Sequence, residues 1–173
     1  MTGNAAHWFV DRHIAEGRGA KPAFEEAWDG GRQLTYGALV EGAGQVADAL
    51  TRSGISREAR AAMFVLDQIE FPQIFWGALK AGVVPVALNT LLSTDVYGAI
   101  LRDSRAAIAF VSQELWDVVG PAVQESPHLR QIVVIGPEAP EGTLAWGAFL
   151  AGTTAAETLE CSGDEIEIGR AHV

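Results

Sequence analysis

Histidine and cysteine most often bind metals or act as nucleophiles, and this chain contains few of either. Its four histidines are His7, His13, His128 and His172. None has a histidine four residues away, and none has a cysteine or paired carboxylates at ligand spacing, so we expect surface or capping positions and no metal centre. Cys161 lacks a basic neighbour that would activate its thiol, and as the only cysteine it cannot form an internal disulfide.

Two short patterns imitate catalytic or cofactor motifs. Glu25 and Glu26 are adjacent carboxylates, but neighbours on a strand point to opposite faces and cannot act together as acid and base. Gly42-Ala43-Gly44 imitates a dinucleotide fingerprint, but the residues before it predict a helix, whereas that motif needs a strand and then a turn. We therefore expect these glycines to allow close packing of a helix.

The composition restricts the class of protein. The length of 173 residues fits one domain, and a hydrophobic content of 49% is typical of a globular chain. Twelve Lys and Arg against 22 Asp and Glu give a net charge of −10, which argues against nucleic acid or an anionic membrane as the main partner. The sequence shows neither a signal-peptide pattern nor a long apolar run, so the cytoplasm is the expected compartment.

The hydrophobic periodicity predicts a hairpin followed by alternating strands and helices. Extended segments at 21–28 and 32–36 flank Asp29-Gly30-Gly31, as in a β-hairpin. Helical spacing follows over Leu39 to Leu50. The remaining predicted strands are 61–66, 83–88, 108–111 and 131–135. The remaining predicted helices are 71–81, 94–105 after the capping cluster Ser93-Thr94-Asp95, 113–125, and a short helix capped by Thr143.

This order predicts an α/β fold: a doubly wound, largely parallel, Rossmann-like sheet with helices on both faces, preceded by a small β-hairpin. Open sheets of this kind bind ligands at the carboxyl ends of their strands. Asn89 and Thr90 follow such a strand and are the site candidates of this sequence, with a turn-and-cap role as the alternative.

Several strings keep a characteristic order and spacing. They are Asn4-Ala5 with Phe9-Val10-Asp11-Arg12-His13, Leu34-Thr35-Tyr36-Gly37, Phe71-Pro72 with Phe75-x-Gly77-Ala78-Leu79-Lys80-Ala81-Gly82, Val84-Pro85-Val86 with Asn89-Thr90-Leu91-Leu92, and Leu101-x-Asp103-Ser104-Arg105-Ala106. From residue 4 to about 166 the chain thereby resembles the benzoate–CoA ligases of the adenylate-forming acyl-CoA synthetase superfamily. Many relatives have Asn-Pro-Arg after the same strand, and that arginine can bind the CoA nucleotide. Leu91 occupies the position of that arginine here, so we do not expect this chain to make the same contact with the CoA nucleotide.

The resemblance implies a full-length ligase that uses ATP, Mg²⁺ and coenzyme A. An aromatic carboxylate would attack ATP to give an acyl-adenylate, and the CoA thiol would then form an aryl-CoA thioester. Residues 1–167 correspond to the N-terminal part of the AMP-binding synthetase/ligase domain, ending before the family's phosphate loop. The resemblance therefore implies no catalytic, cofactor-binding or metal residue in this chain, an inactive fragment, and no tight binding of those cofactors. Residues 168–173 are what a common sequencing adapter encodes in one frame, which predicts a non-native tail.

Other interpretations stay open at this stage. A free-standing α/β binding module without catalysis would complete its own sheet, whereas a fragment would leave an apolar edge or face uncovered. A dinucleotide-dependent oxidoreductase rests on Gly42-Ala43-Gly44 alone. The identity of the aromatic acid and an association of identical subunits also stay open.

Overall fold

The chain begins with a helical segment and a hairpin that stand apart from the main sheet. The computed structural model describes residues 3–161 and the backbone of residues 169–170. A π-helical turn at His7–Asp11 continues into α1 (Arg12–Ala15). Strands β1 (Pro22–Glu25) and β2 (Gln33–Thr35) pair antiparallel, and Gly30 between them takes a φ of +78°, a conformation that favours glycine.

The main sheet has six parallel strands in the described residues. In chain order these are β3 (Arg60–Phe64), β4 (Val84–Ala87), β5 (Ile108–Ser112), β6 (Gln131–Ile135), β7 (Leu144–Ala145) and β8 (Gly169–Arg170). Their spatial order is β7-β6-β5-β3-β4-β8. Among β3 to β7 this is the flavodoxin-like variant of the doubly wound arrangement, in which the first strand lies between the second and the third.

Successive buried side chains of this sheet point to opposite faces, and helices cover both faces. The helices are α2 (Tyr36–Arg52), α3 (Glu70–Lys80), α4 (Thr94–Ser104), α5 (Trp116–Gln124) and α6 (Trp146–Phe149). Ala61 and Met63 of β3 belong to a core cluster with α2, α3 and α6. Ala62 and Phe64 belong to a second cluster with α4 and α5. This two-sided burial confirms the predicted fold class.

The predicted hairpin, strands and main helices are confirmed, with one correction at a helix start. Ser93 occupies the N-cap of α4 as predicted, although without a side-chain cap bond, and the Thr94 hydroxyl donates to the Val118 carbonyl at 2.8 Å. Thr143 does not cap a helix: its hydroxyl donates to the Pro140 carbonyl at 2.6 Å. The next two residues pair with β6 as strand β7, which delays the helix.

The predicted non-native tail lies mostly outside the described residues. Of 168–173, the structure describes the backbone of Gly169 and Arg170, which pair parallel with Val86 and Ala87 of β4. None of the helices in the described part of the chain is long and apolar enough to cross a membrane.

Candidate functional site

The carboxyl edge of the sheet contains the switch in strand order at which doubly wound proteins open a crevice. Strand β4 lies on one side of β3 and β5 on the other, so their connections diverge there. Ser112 at the end of β5 is fully buried, and its hydroxyl oxygen accepts hydrogen bonds from the Leu66 amide and the Gln68 side-chain amide, both at 3.0 Å. These two bonds tie the ends of the central strands together.

A groove of about 300 Å³ lies beside this joint. Its lining combines one cation, two carboxylates and an indole ring: Arg32, Gln68, Glu70, Glu114, Ile135, Gly136, Trp146 and Gly147. A groove of this size with several polar groups is large enough for a small ligand. Whether the polar groups are available to a ligand depends on their existing partners.

Arg32 already has carboxylate partners on two sides. Its Nη1 and Nη2 donate to the two carboxylate oxygens of Glu70 at 2.7 and 2.8 Å. Its Nη2 and Nε also donate to Glu26 at 2.6 and 3.1 Å, and the Ile69 amide donates to Glu26 at 3.0 Å. We call Glu26, Arg32 and Glu70 the hairpin cluster, because it joins the hairpin to the start of α3.

The charges of the hairpin cluster stabilise one another. Hydrogen bonds from the Arg32 side chain hold the pKa of Glu26 at about 2, against the opposing effect of burial, and backbone amides of Arg32 and Ile69 add to the effect. Hydrogen bonds from Glu70 and Glu26 raise the pKa of Arg32. A carboxylate with so low a pKa is a poor general base near neutral pH, so this cluster is suited to structure rather than proton transfer.

A second ionic cluster lies at the other end of α3. Lys80 is 2% exposed, and its Nζ donates to Asp11 Oδ1 at 2.5 Å and to the Thr158 hydroxyl at 2.9 Å. The Thr158 hydroxyl in turn donates to the other oxygen of Asp11. We call these three residues the lysine cluster, which connects the N-terminal segment, α3 and the segment before Cys161.

Sequence reasoning missed both clusters. Glu26 was considered only as half of an acidic pair, although its position opposite Arg32 across the hairpin could have suggested an ion pair. Glu70 in the first turn of a helix and Lys80 in the last match the helix dipole, which was the available signal. The predicted opposite orientation of Glu25 and Glu26 agrees with an exposed Glu25 and a buried Glu26.

Asn89 and Thr90 lie in the loop from β4 to α4, at the carboxyl edge as predicted. Asn89 Oδ1 accepts a hydrogen bond from the Leu91 amide at 2.9 Å, and its carbonyl accepts one from the Tyr97 hydroxyl at 2.9 Å. Asn89 therefore builds the turn, as the alternative interpretation expected. Leu91 is 89% exposed beside it. Contact of Asn89 or Thr90 with a ligand stays a prediction.

The histidines are not brought together. His7 is largely exposed, and His128 is exposed at the opposite edge of the sheet. The His13 ring packs on Tyr36 with centroids 4.0 Å apart, and its Nδ1 accepts from Arg18 Nε at 2.8 Å. Burial and then the Arg18 charge lower the pKa of His13. His172 lies outside the described residues.

Cys161 and the Gly42-Ala43-Gly44 pattern both lie in packed parts of the fold. Cys161 is buried, and the Asn4 side-chain amide lies 3.4 Å from its sulfur. Gly42 and Gly44 lie within helix α2, so the dinucleotide fingerprint is absent from this segment. A Cβ on Gly44 would lie 3.0 Å from the backbone of Ala156, whose amide donates to the Gly44 carbonyl, as expected for a close-packing glycine.

The described residues do not fit a Mg²⁺ site. Within 3–161, no group of three or more His, Cys, Asp or Glu side chains converges as metal ligands. Of the two carboxylates that line the groove, that of Glu70 already accepts hydrogen bonds from Arg32. We therefore derive no step through a metal from these residues.

Comparisons with known proteins give the relationship. A sequence profile of the AMP-binding enzyme family matches residues 11–162. The chain belongs to this family. It is 45% identical over 148 residues to the 4-hydroxybenzoate–CoA/benzoate–CoA ligase of Rhodopseudomonas palustris, covering 86% of this chain and 27% of the relative. It is 40% identical over 134 residues to the benzoate–CoA ligase of Thauera aromatica, covering 77% of this chain and 25% of the relative.

A solved structure extends the similarity to three dimensions. The anthranilate CoA ligase AuaEII, in complex with anthranoyl-AMP, superimposes with a TM-score of 0.87 at 29% identity, covering 96% of this chain and 32% of that protein. The chain thus spans about a quarter to a third of the length of these AMP-binding relatives. The resemblance to benzoate–CoA ligases is confirmed at the level of the family and of this part of the fold.

Proposed function

We propose that this member of the AMP-binding enzyme family is the N-terminal part of an ATP-dependent aryl-CoA ligase of the benzoate type. The observation that carries the proposal is the 45% identity to a 4-hydroxybenzoate–CoA/benzoate–CoA ligase across 86% of the chain. In the full-length protein, the aromatic carboxylate displaces pyrophosphate from ATP to form an acyl-adenylate. The CoA thiol then displaces AMP, loses its proton and forms the thioester. We propose a cytoplasmic enzyme.

The contribution of residues 1–167 to this reaction is a scaffold. The carboxyl edge supplies a groove beside the joint of two central strands, but the cation of that groove, Arg32, already binds Glu70 and Glu26. Asn89 and Thr90 lie on the same edge and are the residues of this segment proposed to approach a ligand. Catalysis of adenylate formation depends on positioned cationic and amide groups around the phosphates, which the described residues do not assemble at the carboxyl edge. The isolated chain is therefore inactive in this proposal.

An exposed aromatic surface supports the assignment as a part of a larger protein. Phe9 is 56% exposed and packs on Trp76 with centroids 6.0 Å apart, and Trp76 contacts Phe75 at 5.2 Å. Phe75 stacks on Phe71 at 6.3 Å, and Phe71 shares a groove of about 260 Å³ with Phe24. A contiguous apolar surface of this kind usually marks an interface. We propose that the remaining ligase chain covers it.

Residues 168–173 remain a proposed non-native tail. The pairing of Gly169 and Arg170 with β4 supports the idea that the outer edge of β4 accepts a further parallel strand. In this proposal a native strand occupies that place in the full-length protein. Reading the source DNA past the Ile168 codon tests this: a native continuation that encodes a phosphate loop supports it, and a genomic stop after Val173 contradicts it.

A chimeric enzyme tests the function. Residues 1–167 would replace the matching segment of the Rhodopseudomonas palustris ligase, and benzoate-dependent exchange of pyrophosphate into ATP would be measured. We expect exchange by the chimera and none by the purified 173-residue chain. A folded chimera without exchange, or turnover by the isolated chain, would contradict the proposal. A chimera in which residues 1–167 carry Gly77→Ala serves as the packing-defective control.

A further inference from the structure

The amino edge of the sheet, opposite the groove described above, contains a concentrated positive charge. A hollow of about 350 Å³ there is lined by Ser56, Arg57, Glu58, Ala59, Arg60, Arg105, Ala107, His128 and Arg130. It gathers four of the twelve Lys and Arg residues of a chain whose net charge is −10. A third of the Lys and Arg residues thus lies around one small hollow.

The starts of three neighbouring strands position these arginines. Arg60 begins β3, residue 107 directly precedes β5, and Arg130 directly precedes β6. The Ala107 amide donates to the Arg60 carbonyl and the Arg130 amide to the Ala107 carbonyl, both at 2.8 Å. Adjacent strands lie roughly 4.8 Å apart. The backbone of the sheet therefore fixes Arg60 and Arg130 two strands apart, with Arg105 close to the strand between them.

Three of the arginines around the hollow, Arg60, Arg105 and Arg130, bind neutral oxygens or none within the described residues. Arg60 Nε donates to the Ser104 carbonyl at 2.6 Å and Nη1 to the Glu58 carbonyl at 3.3 Å, so neutral oxygens orient it. Across residues 3–161, no carboxylate forms an ion pair with Arg60, Arg105 or Arg130. Arg57 at the rim donates to the Glu160 carbonyl at 3.1 Å. The Glu58 carboxylate is the acidic group in the lining and would oppose an anion.

The backbone around the hollow is unusual as well. In the described part of the chain, the non-glycine residues with positive φ are Glu58 at 59° and Arg105 at 49°, and both line this hollow. Such conformations are unfavourable for L-residues and concentrate at ligand-binding sites. The left-handed Arg105 ends helix α4 and brings its side chain to the hollow.

We propose that this hollow binds a small anion with two linked phosphate groups. Guanidinium groups match phosphate oxygens with paired hydrogen bonds, and several of them around one hollow favour an anion of multiple charge over a single one. The volume lies at the lower end of the range for small-molecule sites. Inorganic pyrophosphate and the diphosphate of a nucleotide share this chemistry. The inference does not depend on the proposed ligase function.

Calorimetric titration of the 173-residue chain tests the site, with pyrophosphate and with ADP as separate ligands in magnesium-free buffer. We expect saturable binding of pyrophosphate. The double variant Arg105→Asn/Arg130→Gln should weaken it about tenfold or more, since each lost charged hydrogen bond contributes substantially. Asparagine tolerates the left-handed conformation at 105. Circular dichroism verifies that the variant is folded. Tighter binding of ADP than of pyrophosphate would identify a nucleotide ligand, and the reverse an inorganic one.

The control variant Lys21→Gln/Arg102→Gln removes the same charge from exposed positions outside the hollow. It should leave pyrophosphate affinity within about twofold of the parent chain, because neither side chain lines the hollow and salt screens the interactions of exposed charges. An equal loss of affinity in both double variants would show a general charge effect and overturn the proposal. Absence of saturable binding by the parent chain would overturn it as well.

Discussion

Each end of helix α3 takes part in an ionic cluster, but the cations of the two clusters differ in their exposure to water. Glu70 in the first turn belongs to the hairpin cluster, and Lys80 in the last turn belongs to the lysine cluster. Both charges complement the helix dipole. However, the cation that serves Glu70 is a half-exposed arginine, whose side chain is 50% accessible, whereas Lys80 is 2% accessible.

This difference in exposure predicts which cluster contributes more to the stability of the fold. When a carboxylate partner is lost, water can solvate the half-exposed guanidinium of Arg32, whereas the ammonium of Lys80 has little access to water. The clusters also join different parts of the molecule. The hairpin cluster attaches the β-hairpin to α3, whereas the lysine cluster joins both ends of the described chain to α3. We therefore expect larger effects from the lysine cluster.

Lys80→Ala should have the largest effect on this comparison. The substitution leaves the Asp11 carboxylate without its cation and removes a buried side chain, which costs about 3 to 5 kcal/mol in comparable cases. Urea unfolding followed by fluorescence measures the free energy of unfolding. Lys21→Ala, at an exposed lysine of the same chain, is the control and should change stability by less than about 0.5 kcal/mol. A loss below about 1 kcal/mol for Lys80→Ala would contradict the expectation that the lysine cluster contributes more to stability than the hairpin cluster.

Gly77→Ala tests whether the packing in the middle of α3 holds the two ends in place. A Cβ at this position would lie 2.5 Å from Val46 Cβ and 2.8 Å from the Ala43 carbonyl oxygen, so α2 and α3 would have to separate. We expect a loss of about 1 to 3 kcal/mol in thermal or urea unfolding. Gly147→Ala in α6 has open space around its Cβ and should be neutral or stabilising. Comparable losses in the two variants would contradict a packing effect.

The hairpin cluster should give the fold an acid-dependent stability. The pKa of Glu26 is lowered in the folded chain to about 2, so its contribution is complete above its unfolded pKa near 4.5 and disappears as the pH falls toward 2. The free energy of unfolding should therefore decline more steeply over this window for the parent chain than for Glu26→Gln. Glu25→Gln, which alters the exposed neighbour, should keep the parental slope. Identical slopes in all three proteins would refute the role of Glu26.

Thr158→Val should give the smallest effect. It removes one hydroxyl, which accepts a hydrogen bond from Lys80 and donates one to Asp11, while keeping the Lys80–Asp11 pair, and we expect a loss of about 1 to 2 kcal/mol. Thr154→Val, at an exposed threonine nearby, is the control. If Thr158→Val destabilised the chain as much as Lys80→Ala, the hydroxyl rather than the ion pair would be the essential member.

The periodicity of the sequence was sufficient to predict the layers of the fold. Short apolar runs such as 108–111 and helical spacing such as Leu39 to Leu50 depend on local geometry, and the structure reproduces both. The failures occurred where a tertiary contact decided the outcome. Thr143 is a good capping residue, but pairing with β6 converts the next two residues into a strand. No local pattern contains that information.

The sites were harder to predict than the fold for the same reason. Asn89 was correctly located at the carboxyl edge because its position follows from strand direction. The lysine cluster joins residues 11, 80 and 158, and the arginines at the amino edge come from the starts of separate strands. Such groupings depend on strand order, which the periodicity did not specify among the doubly wound variants.

The contacts of Asn4 have a consequence for the newly made protein. Its side-chain amide donates to the Leu79 carbonyl at 2.5 Å and to the Leu159 carbonyl at 3.2 Å, across 155 residues. A ribosome adding about 5 to 20 residues per second needs roughly 8 to 31 s to synthesise that interval. During this time the first residues to emerge cannot complete their native contacts, and Ala6 and Val10, which the folded chain buries, stay accessible to chaperones.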